Sequence, residues 1–228
     1  MKIFIGCSAC DEIPSEYFDE TKRFLEKLMP GHDLVFGTCK SGLMGIAHDI
    51  TKKLGGKVIG ICPDAYKDDF KILDCDVEIV TKTVSERTDS VIRESDALVF
   101  IAGGIGTLYE LLTAIECKRC HEFDKPIVIY NGTGYFDKLL NFFEQLYTQR
   151  FVREKDKTTY FISDSVEEIK EYIENYNKQK NDKTKLKEFL NNVCNITYEI
   201  EYGSLVKYSG NYSYYEKQKK FNYEKKTS

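Results

Sequence analysis

The sequence predicts an α/β fold, a doubly wound parallel sheet of the Rossmann-like kind with a C-terminal extension. Three observations support this prediction. Short apolar runs alternate along the chain with segments whose apolar residues recur every three or four positions, as in amphipathic helices. The apolar runs are continuous, which is typical of strands buried on both faces. The 228 residues are 42% hydrophobic and 31% charged, which is enough for one sizeable core.

Predicted strands and helices alternate through residues 1–177. The strands are predicted at Lys2–Gly6, Asp33–Gly37, Lys57–Cys62, Val77–Val80, Ala97–Ala102, Pro126–Tyr130 and Tyr160–Ile162. The helices are predicted at Ser15–Met29, Gly42–Leu54, Ser85–Ser95, Thr107–Cys120, Tyr135–Phe151 and Ser165–Asn177. Because open parallel sheets bind ligands beyond the carboxyl ends of their strands, function is expected in the loops after Gly6, Gly37 and Ala102.

Residues 178–228 are expected to form a separate Lys- and Tyr-rich extension to a nucleotide-binding catalytic domain at 1–177. The extension holds 11 lysines and 6 acidic residues, a charge of +5, which leaves −9 for the domain out of a total of −4. Alternating apolar and polar residues in ITYEIEYGSLVKYSGNYSYY, around Gly203 and Gly210, predict a strand or hairpin. The segment Glu216–Ser228 is expected to be a solvated, mobile terminus.

Charge and hydropathy exclude several classes of partner. A net charge of −4 lacks the basic excess that nucleic-acid binding usually requires. No apolar stretch approaches the roughly 20 residues that span a bilayer. The first residues lack a charged segment followed by a long apolar one, as a signal peptide would have. We therefore expect a cytoplasmic protein with neither nucleic-acid nor membrane partners.

Eight cysteines raise the question of metal or haem. Cys7/Cys10 and Cys117/Cys120 have C-x-x-C spacing, and His121 completes the c-type haem attachment pattern. Haem attachment normally requires export, and the two pairs lie too far apart in sequence for an ordinary zinc ribbon. In a reducing compartment free thiols are expected, with no metal and no cofactor. A zinc or haem protein remains the remote alternative.

Three glycines separate the apolar run Ala97–Ala102 from the next predicted helix. The first amides of a helix have no helical partner, and together with the helix dipole they favour an anion such as phosphate. Gly103, Gly104 and Gly106 would let a phosphate approach the backbone, with at least one glycine expected at positive φ, and Thr107 adds a hydroxyl. Chain reversal alone is the other explanation for such a turn.

A carboxylate follows this turn, Glu110, three residues after Thr107. Near the sugar of a bound nucleotide it could stabilise an oxocarbenium ion or activate water. Its alternative role is to favour the positive end of its helix. Arg87 could bind phosphate or ribose oxygens, or be only a surface charge of SERTDSVIRESD.

A second glycine-containing loop, GTCKSGLMG at Gly37–Gly45, also opens a predicted helix. It is not a Walker A loop, which requires Gly-Lys-Ser/Thr after four spacer residues, and its glycines do not fit the dinucleotide fingerprint. Two phosphate-like turns without either motif indicate a mononucleotide.

These segments together resemble the Lonely-guy family of cytokinin riboside 5′-monophosphate phosphoribohydrolases, formerly labelled lysine decarboxylases. AGGIGTLYE resembles the family's PGGxGTxxE signature, and GTCKSGLMG its GGGxxGLMG segment. GCS stands in the place of the family's GSS turn, and SERTDSV resembles the segment with its Arg-Lys pair. KPIVIYNGTGYFDKLLNFFE is similar to its last strand and helix. The resemblance covers about residues 1–177.

The resemblance implies hydrolysis of the N-glycosidic bond of AMP or an N6-modified AMP to free base and ribose 5-phosphate, by a homodimer. It implies Arg87 and Glu110 as the catalytic pair. It implies a substrate site made of Ser8, Gly42, Met44, Gly45, Gly103, Gly104, Gly106 and Thr107. The chain differs from the family pattern at Cys7, Thr38, Cys39, Thr88 and Ala102. A non-catalytic nucleotide-binding or cofactor-carrier module on the same fold is the alternative function.

Overall fold

The computed structural model describes residues 1–66, 74–201 and 204–227, except for the side chains of 177–183, 201 and 223–227. Its chain divides into two compact units, Met1–Ile173 and Glu174–Ser228. The first unit contains the predicted doubly wound sheet, with seven parallel strands in the order β4-β3-β2-β1-β5-β6-β7. The strands are β1 (Lys2–Gly6), β2 (Asp33–Phe36), β3 (Val58–Pro63), β4 (Val77–Thr81), β5 (Ala97–Phe100), β6 (Ile127–Tyr130) and β7 (Phe161–Ser163).

Helices cover both faces of this sheet, as the alternating pattern predicted. They are α1 (Ser15–Leu28), α2 (Gly42–Lys53), α3 (Val84–Glu94), α4 (Ile105–Arg119), α5 (Asp137–Thr148) and α6 (Val166–Val193). Short 3₁₀ helices lie at Asp64–Tyr66 and Glu154–Thr159. Among the described residues, no helix combines the length and the apolar character needed to cross a membrane.

Two cores hold the sheet between its helices, because successive strand residues face opposite sides. In β1, Ile3 and Ile5 belong to the core with α1, α2 and the start of α6. Phe4, between them, belongs to the core with α3, α4 and α5. These three side chains are almost fully buried, and each burial contributes about 1.5–3 kcal/mol relative to exposure.

The strand order reverses at β1, which pairs with β2 on one side and β5 on the other. The carboxyl ends of β1 and β5 meet here, with Gly6 opposite Phe100. A Cβ atom at Gly6 would stand 2.6 Å from the Phe100 ring, so only glycine fits at this position. The reversal opens a crevice between the loops that follow the two strands, where open parallel sheets bind ligands.

Helix α5 is shorter than the predicted Tyr135–Phe151. At its start, the Asn131 side-chain oxygen accepts a hydrogen bond from the Phe136 amide at 2.8 Å, which holds the preceding residues in a turn. At its end, Arg150 adopts a positive φ of 63°, which terminates a right-handed helix. Both ends are therefore set by local backbone geometry that the apolar period does not encode.

Helix α6 is longer than predicted and runs to Val193 rather than ending at Asn177. The residues beyond 177 contain neither proline nor glycine before this end, and they include five lysines and two leucines, which favour helix. The prediction placed the boundary at a change of composition, although composition alone does not stop a helix.

The second unit contains the predicted hairpin, with β8 (Ile196–Glu201) antiparallel to β9 (Ser204–Ser209). Gly203, at its turn, lies outside the described residues. Helix α7 (Tyr212–Thr227) occupies most of the segment expected to be a mobile terminus. It packs on the hairpin through an edge-on contact of Tyr215 with Tyr208, with ring centroids 5.0 Å apart. The apolar residues of α7 do not recur with a clear helical period, so the sequence did not predict this helix, which contacts the hairpin through the Tyr215 ring.

Candidate active site

A cavity of about 420 Å³ lies in the crevice where the strand order reverses. The loops after β1 and β5 are joined beside it, because the Ser8 amide donates to the Ala102 carbonyl at 3.0 Å. Seven of the ten residues predicted for the site line this cavity, namely Ser8, Met44, Arg87, Gly104, Gly106, Thr107 and Glu110; its other lining residues are Cys7, Ala9 and Cys10.

The glycine turn forms one wall of the cavity. Gly104 immediately precedes α4, and the first amides of that helix have no carbonyl of their own helix to bond. A Cβ atom at Gly104 or Gly106 would meet nothing within 4 Å, so both face open space. None of the three glycines has a positive φ, and the expectation of one was wrong. Glycine here leaves room above the helix start.

Gly103 has a different role from its neighbours. It does not line the cavity, and a Cβ atom there would stand 2.7 Å from the Thr107 Cβ. Its carbonyl accepts a hydrogen bond from the Tyr135 hydroxyl at 2.6 Å. The Tyr135 ring also makes an edge-on contact with Tyr17, with centroids 5.5 Å apart. Gly103 therefore anchors the turn to Tyr135 on the side away from the cavity.

Arg87 of α3 and Glu110 of α4 form a hydrogen-bonded ion pair beside the glycine turn. Their side chains are only 13% and 3% exposed, respectively, which excludes the surface role considered for Arg87. The Arg87 Nε also donates to the Ile61 carbonyl of β3 at 3.1 Å. Glu110 is the sixth residue of α4 and lies past its first turn, so compensation of the helix dipole does not explain its position.

Burial controls the electrostatics of this pair. Desolvation raises the pKa of Glu110, while the charge and hydrogen bond of Arg87 lower it and offset part of that rise. Burial also raises the pKa of the Cys7 thiol, and the nearby Glu110 carboxylate adds to that rise. The cavity wall thus contains a neutral thiol, a buried carboxyl and one guanidinium.

In the second glycine-containing loop, the amides at the start of α2 donate hydrogen bonds to other groups of the protein. The Gly42 amide donates to Asp11 Oδ1 at 2.7 Å, and the Leu43 and Met44 amides donate to the Ser8 carbonyl at 2.9 and 3.3 Å. Of this loop only Met44 lines the cavity, and Gly42 and Gly45 do not. These donors are not available to a phosphate, contrary to the expectation of two phosphate-like turns.

Four of the five positions that differ from the family pattern lie outside the cavity lining. Thr38 has a positive φ of 66° and bonds the Gly37 carbonyl through its hydroxyl at 2.7 Å. Thr88 is buried and its hydroxyl bonds the Val84 carbonyl at 3.2 Å. Cys39 is buried as well. Cys7 alone changes the chemistry of the cavity wall.

Sequence similarity decides the family. A family model described as possible lysine decarboxylase matches residues 44–173. The chain is 30% identical over 177 residues to cytokinin riboside 5′-monophosphate phosphoribohydrolase LOG5 of Arabidopsis thaliana, covering 77% of this chain and 78% of that protein. The chain belongs to the Lonely-guy family. LOG2 of the same plant is 25% identical over 177 residues, which cover 77% of this chain and 83% of LOG2.

Solved structures share the fold of this Lonely-guy protein at lower identity. A molybdenum cofactor carrier protein from Chlamydomonas reinhardtii superposes with a TM-score of 0.58 at 21% identity, covering 78% of this chain and 98% of that chain. A molybdenum cofactor binding protein from Rippkaea orientalis gives 0.54 at 23% identity, covering 76% and 94%. Both confirm the Rossmann-like architecture.

Four residues of the Lonely-guy site were not singled out from the sequence. Asp11 caps α2, Tyr135 holds the glycine turn, and Gly37 and Ile61 adjoin Arg87. Each acts through another residue, so no motif identifies it. Gly37 directly follows β2, whereas Asp11 and Tyr135 lie in longer loops after β1 and β6. Ile61 lies within β3, so position in the sequence gives no common signal for the four.

The C-x-x-C pairs do not gather into a metal-binding cluster in the described part of the chain. Within residues 1–66, 74–201 and 204–227, no group of three or more His, Cys, Asp or Glu side chains is placed to hold a metal ion. Cys7 and Cys10 line the Lonely-guy cavity, whereas Cys117 and Cys120 lie at the end of α4.

Proposed function

We propose that this protein hydrolyses the N-glycosidic bond of a nucleoside 5′-monophosphate, AMP or an N6-modified AMP, to free base and ribose 5-phosphate. One observation carries the proposal. The buried ion pair of Arg87 and Glu110 opens into the same cavity as the unobstructed glycine turn of α4. A helix start that could accept a phosphate and a buried acid–base group thus border the same cavity.

The phosphate would bind at the start of α4. The amides of the first turn and the Thr107 hydroxyl would donate to its oxygens, and the helix dipole would add to the attraction. Gly104 and Gly106 permit this approach because neither places a Cβ atom over the amides. Each charge-assisted hydrogen bond contributes about 1.5–3 kcal/mol, so the phosphate would be the main anchor.

Glu110 would act at the sugar. As the C1′–N bond breaks, its electron pair goes to the base and C1′ gains positive charge, which the carboxylate stabilises. Water then attacks C1′, Glu110 accepts a proton from that water, and the base gains its proton through solvent. General-base catalysis of this kind contributes roughly 10²–10⁴-fold.

Arg87 would keep the catalytic carboxyl ionised. Burial favours the neutral acid, and only the ionised form can stabilise a cation or accept a proton. Arg87 opposes the effect of burial and fixes the orientation of the carboxylate, because its guanidinium is also bonded to the Ile61 carbonyl. The two residues therefore function as a unit.

The positions that differ from the family pattern are compatible with this activity. Thr38, Cys39, Thr88 and Ala102 do not line the cavity. Cys7 replaces a hydroxyl with a neutral thiol of similar size, which leaves the charge of the cavity unchanged. The curated relatives named as phosphoribohydrolases support the reaction class.

The second candidate is a binding module without catalysis. Arg87 and Glu110 satisfy one another in the structure, and such a pair could serve only to build the floor of a nucleotide or cofactor site. Incubating the purified protein with AMP separates the two candidates. Release of free adenine and ribose 5-phosphate supports the hydrolase, whereas saturable AMP binding without adenine supports the binding module.

We also propose that the protein works in the cytoplasm as a homodimer. The family supports the assembly, and the first unit exposes large apolar side chains along α4 and α5, among them Leu112 and Phe142 at 47% and 53% exposure. Light scattering of the purified protein tests it, since a dimer has twice the mass of the 26.4 kDa chain.

A further inference from the structure

Gly37 follows β2 directly and lies against the guanidinium of Arg87. A Cβ atom at Gly37 would overlap Arg87 Nη2 and would stand 3.4 Å from Arg87 Cζ. We propose that Gly37 is a positioning residue, whose missing side chain lets Arg87 reach Glu110 in the orientation that the reaction requires. This inference rests on the proposed function for its catalytic consequence, although its structural part can be tested without substrate.

Three nitrogens of Arg87 are fixed by different parts of the fold. Nε donates to the Ile61 carbonyl of β3 at 3.1 Å, Nη1 bonds Glu110, and Nη2 faces Gly37. Because the guanidinium is planar and rigid, two bonded nitrogens define its plane. A methyl group at position 37 therefore displaces the guanidinium from Glu110, from Ile61, or from both.

The backbone does not require glycine at this position. Gly37 is not among the residues with positive φ, so alanine can adopt its conformation. The atom that alanine would meet most closely is the end of a long side chain rather than backbone, so the clash can be relieved without a shift of the main chain. Gly45 is the opposite case, because a Cβ atom there would overlap the Lys40 carbonyl oxygen of the backbone. Gly37→Ala should therefore fold and carry a misplaced Arg87.

Displacement of Arg87 has a measurable consequence at Glu110. Arg87 is the group that lowers the pKa of Glu110 against the effect of burial. If the guanidinium moves away, burial acts alone and the pKa of Glu110 rises further. This shift reports the position of Arg87 in the protein without any ligand.

The experiment titrates Glu110 by NMR in protein labelled with ¹³C at the glutamate carboxyls, with Glu110→Gln to assign the signal. The variants are Gly37→Ala, Arg87→Ala and their combination. Gly132→Ala is a matched control, because a Cβ atom there also overlaps the end of a side chain, the Tyr130 hydroxyl, outside the cavity lining. We expect Gly37→Ala to raise the pKa of Glu110, Gly132→Ala to leave it unchanged, and the double variant to match Arg87→Ala.

Turnover of AMP is measured on the same proteins. A misplacement of about 1 Å can cost on the order of 10²-fold in rate, so Gly37→Ala should lower kcat/KM by about 10–100-fold. In the Arg87→Ala background it should change kcat/KM by less than about twofold, because the partner through which it acts is gone. An unchanged Glu110 titration in Gly37→Ala, or a further loss of turnover in the Arg87→Ala background, overturns the inference.

Two outcomes keep the inference separate from the proposed function and from folding. If the wild type does not hydrolyse AMP, the proposed function fails, and the Glu110 titration alone decides the role of Gly37. If Gly37→Ala does not fold, Arg87→Lys is added, since lysine lacks the Nη2 atom. Recovery of folding in that double variant supports a clash with the guanidinium, and continued unfolding contradicts it.

Discussion

Gly104→Val is the substitution that most cleanly separates binding from folding at the glycine turn. Gly104 has φ −84° and ψ −159°, a conformation that valine adopts readily. A Cβ atom there meets nothing within 4 Å, so the added side chain enters the cavity rather than the core. We expect the variant to fold with the stability of the wild type.

The cost to binding follows from the hydrogen bonds that the valine would block. Its methyl groups would cover the first amides of α4 in a cavity of about 420 Å³. Loss of two charge-assisted hydrogen bonds at about 1.5–3 kcal/mol each removes about 3–6 kcal/mol. At about 1.4 kcal/mol for each tenfold change, AMP affinity should fall by roughly 10²–10⁴-fold.

Calorimetry with AMP and thermal unfolding measure the two effects separately. Gly103→Val is the matched control, because a Cβ atom there would stand 2.7 Å from Thr107 Cβ, and this variant should lose stability. Adenosine provides the ligand control, since without a phosphate it should not bind the wild type. Binding of AMP to Gly104→Val within twofold of the wild-type affinity would refute the phosphate site.

Three further predictions concern the surroundings of the site. Tyr135→Phe removes the hydrogen bond to the Gly103 carbonyl and should raise the KM for AMP by about 2–10-fold with little change in kcat, a split that steady-state kinetics detects. Because burial raises the pKa of Glu110 above its unfolded value of about 4.3, the folded protein binds that proton more tightly. The free energy of unfolding of the wild type, relative to that of Glu110→Gln, should therefore fall as the pH rises from about 4 through the raised pKa. Urea titrations at several pH values measure both free energies. A difference between the two proteins that stays constant with pH would contradict the prediction. Thiol titration of the unfolded, unreduced protein should find eight free thiols, and stoichiometric zinc in the purified protein would disprove that expectation.

Most of the first unit could be predicted from the sequence because its strands are short, continuous apolar runs separated by clear helical periods. β5 and α4 are examples, since a buried run, a glycine turn and a helix follow one another within 23 residues, Ala97–Arg119. Predictions failed where an end depends on contacts that sequence spacing does not encode. The Asn131 side chain fixes the start of α5, and contact with the hairpin accompanies α7.

The candidate site could be predicted in its residue types but not in its arrangement. Arg87 and Glu110 were both selected, yet their pairing across α3 and α4 depends on how the two helices pack. The Asp11 carboxylate accepts a hydrogen bond from the Gly42 amide, a contact between two loops that has no sequence signature. Glycine at 104 and 106 was expected both to allow a positive φ and to leave room for a phosphate. Neither residue has a positive φ, and both face open space, so only the second reason is supported.

The most direct test of the central claim compares AMP hydrolysis by the wild type and by Glu110→Gln, with AMP affinity measured for both. Glutamine keeps the shape of Glu110 and can still accept the hydrogen bond from Arg87, but it has no charge and cannot act as a base. We predict that the wild type releases adenine and ribose 5-phosphate, and that the variant binds AMP while its kcat falls by on the order of 10²–10⁴-fold or more. Near-normal release of adenine by Glu110→Gln would contradict the account, as would a wild type that binds AMP and releases no adenine.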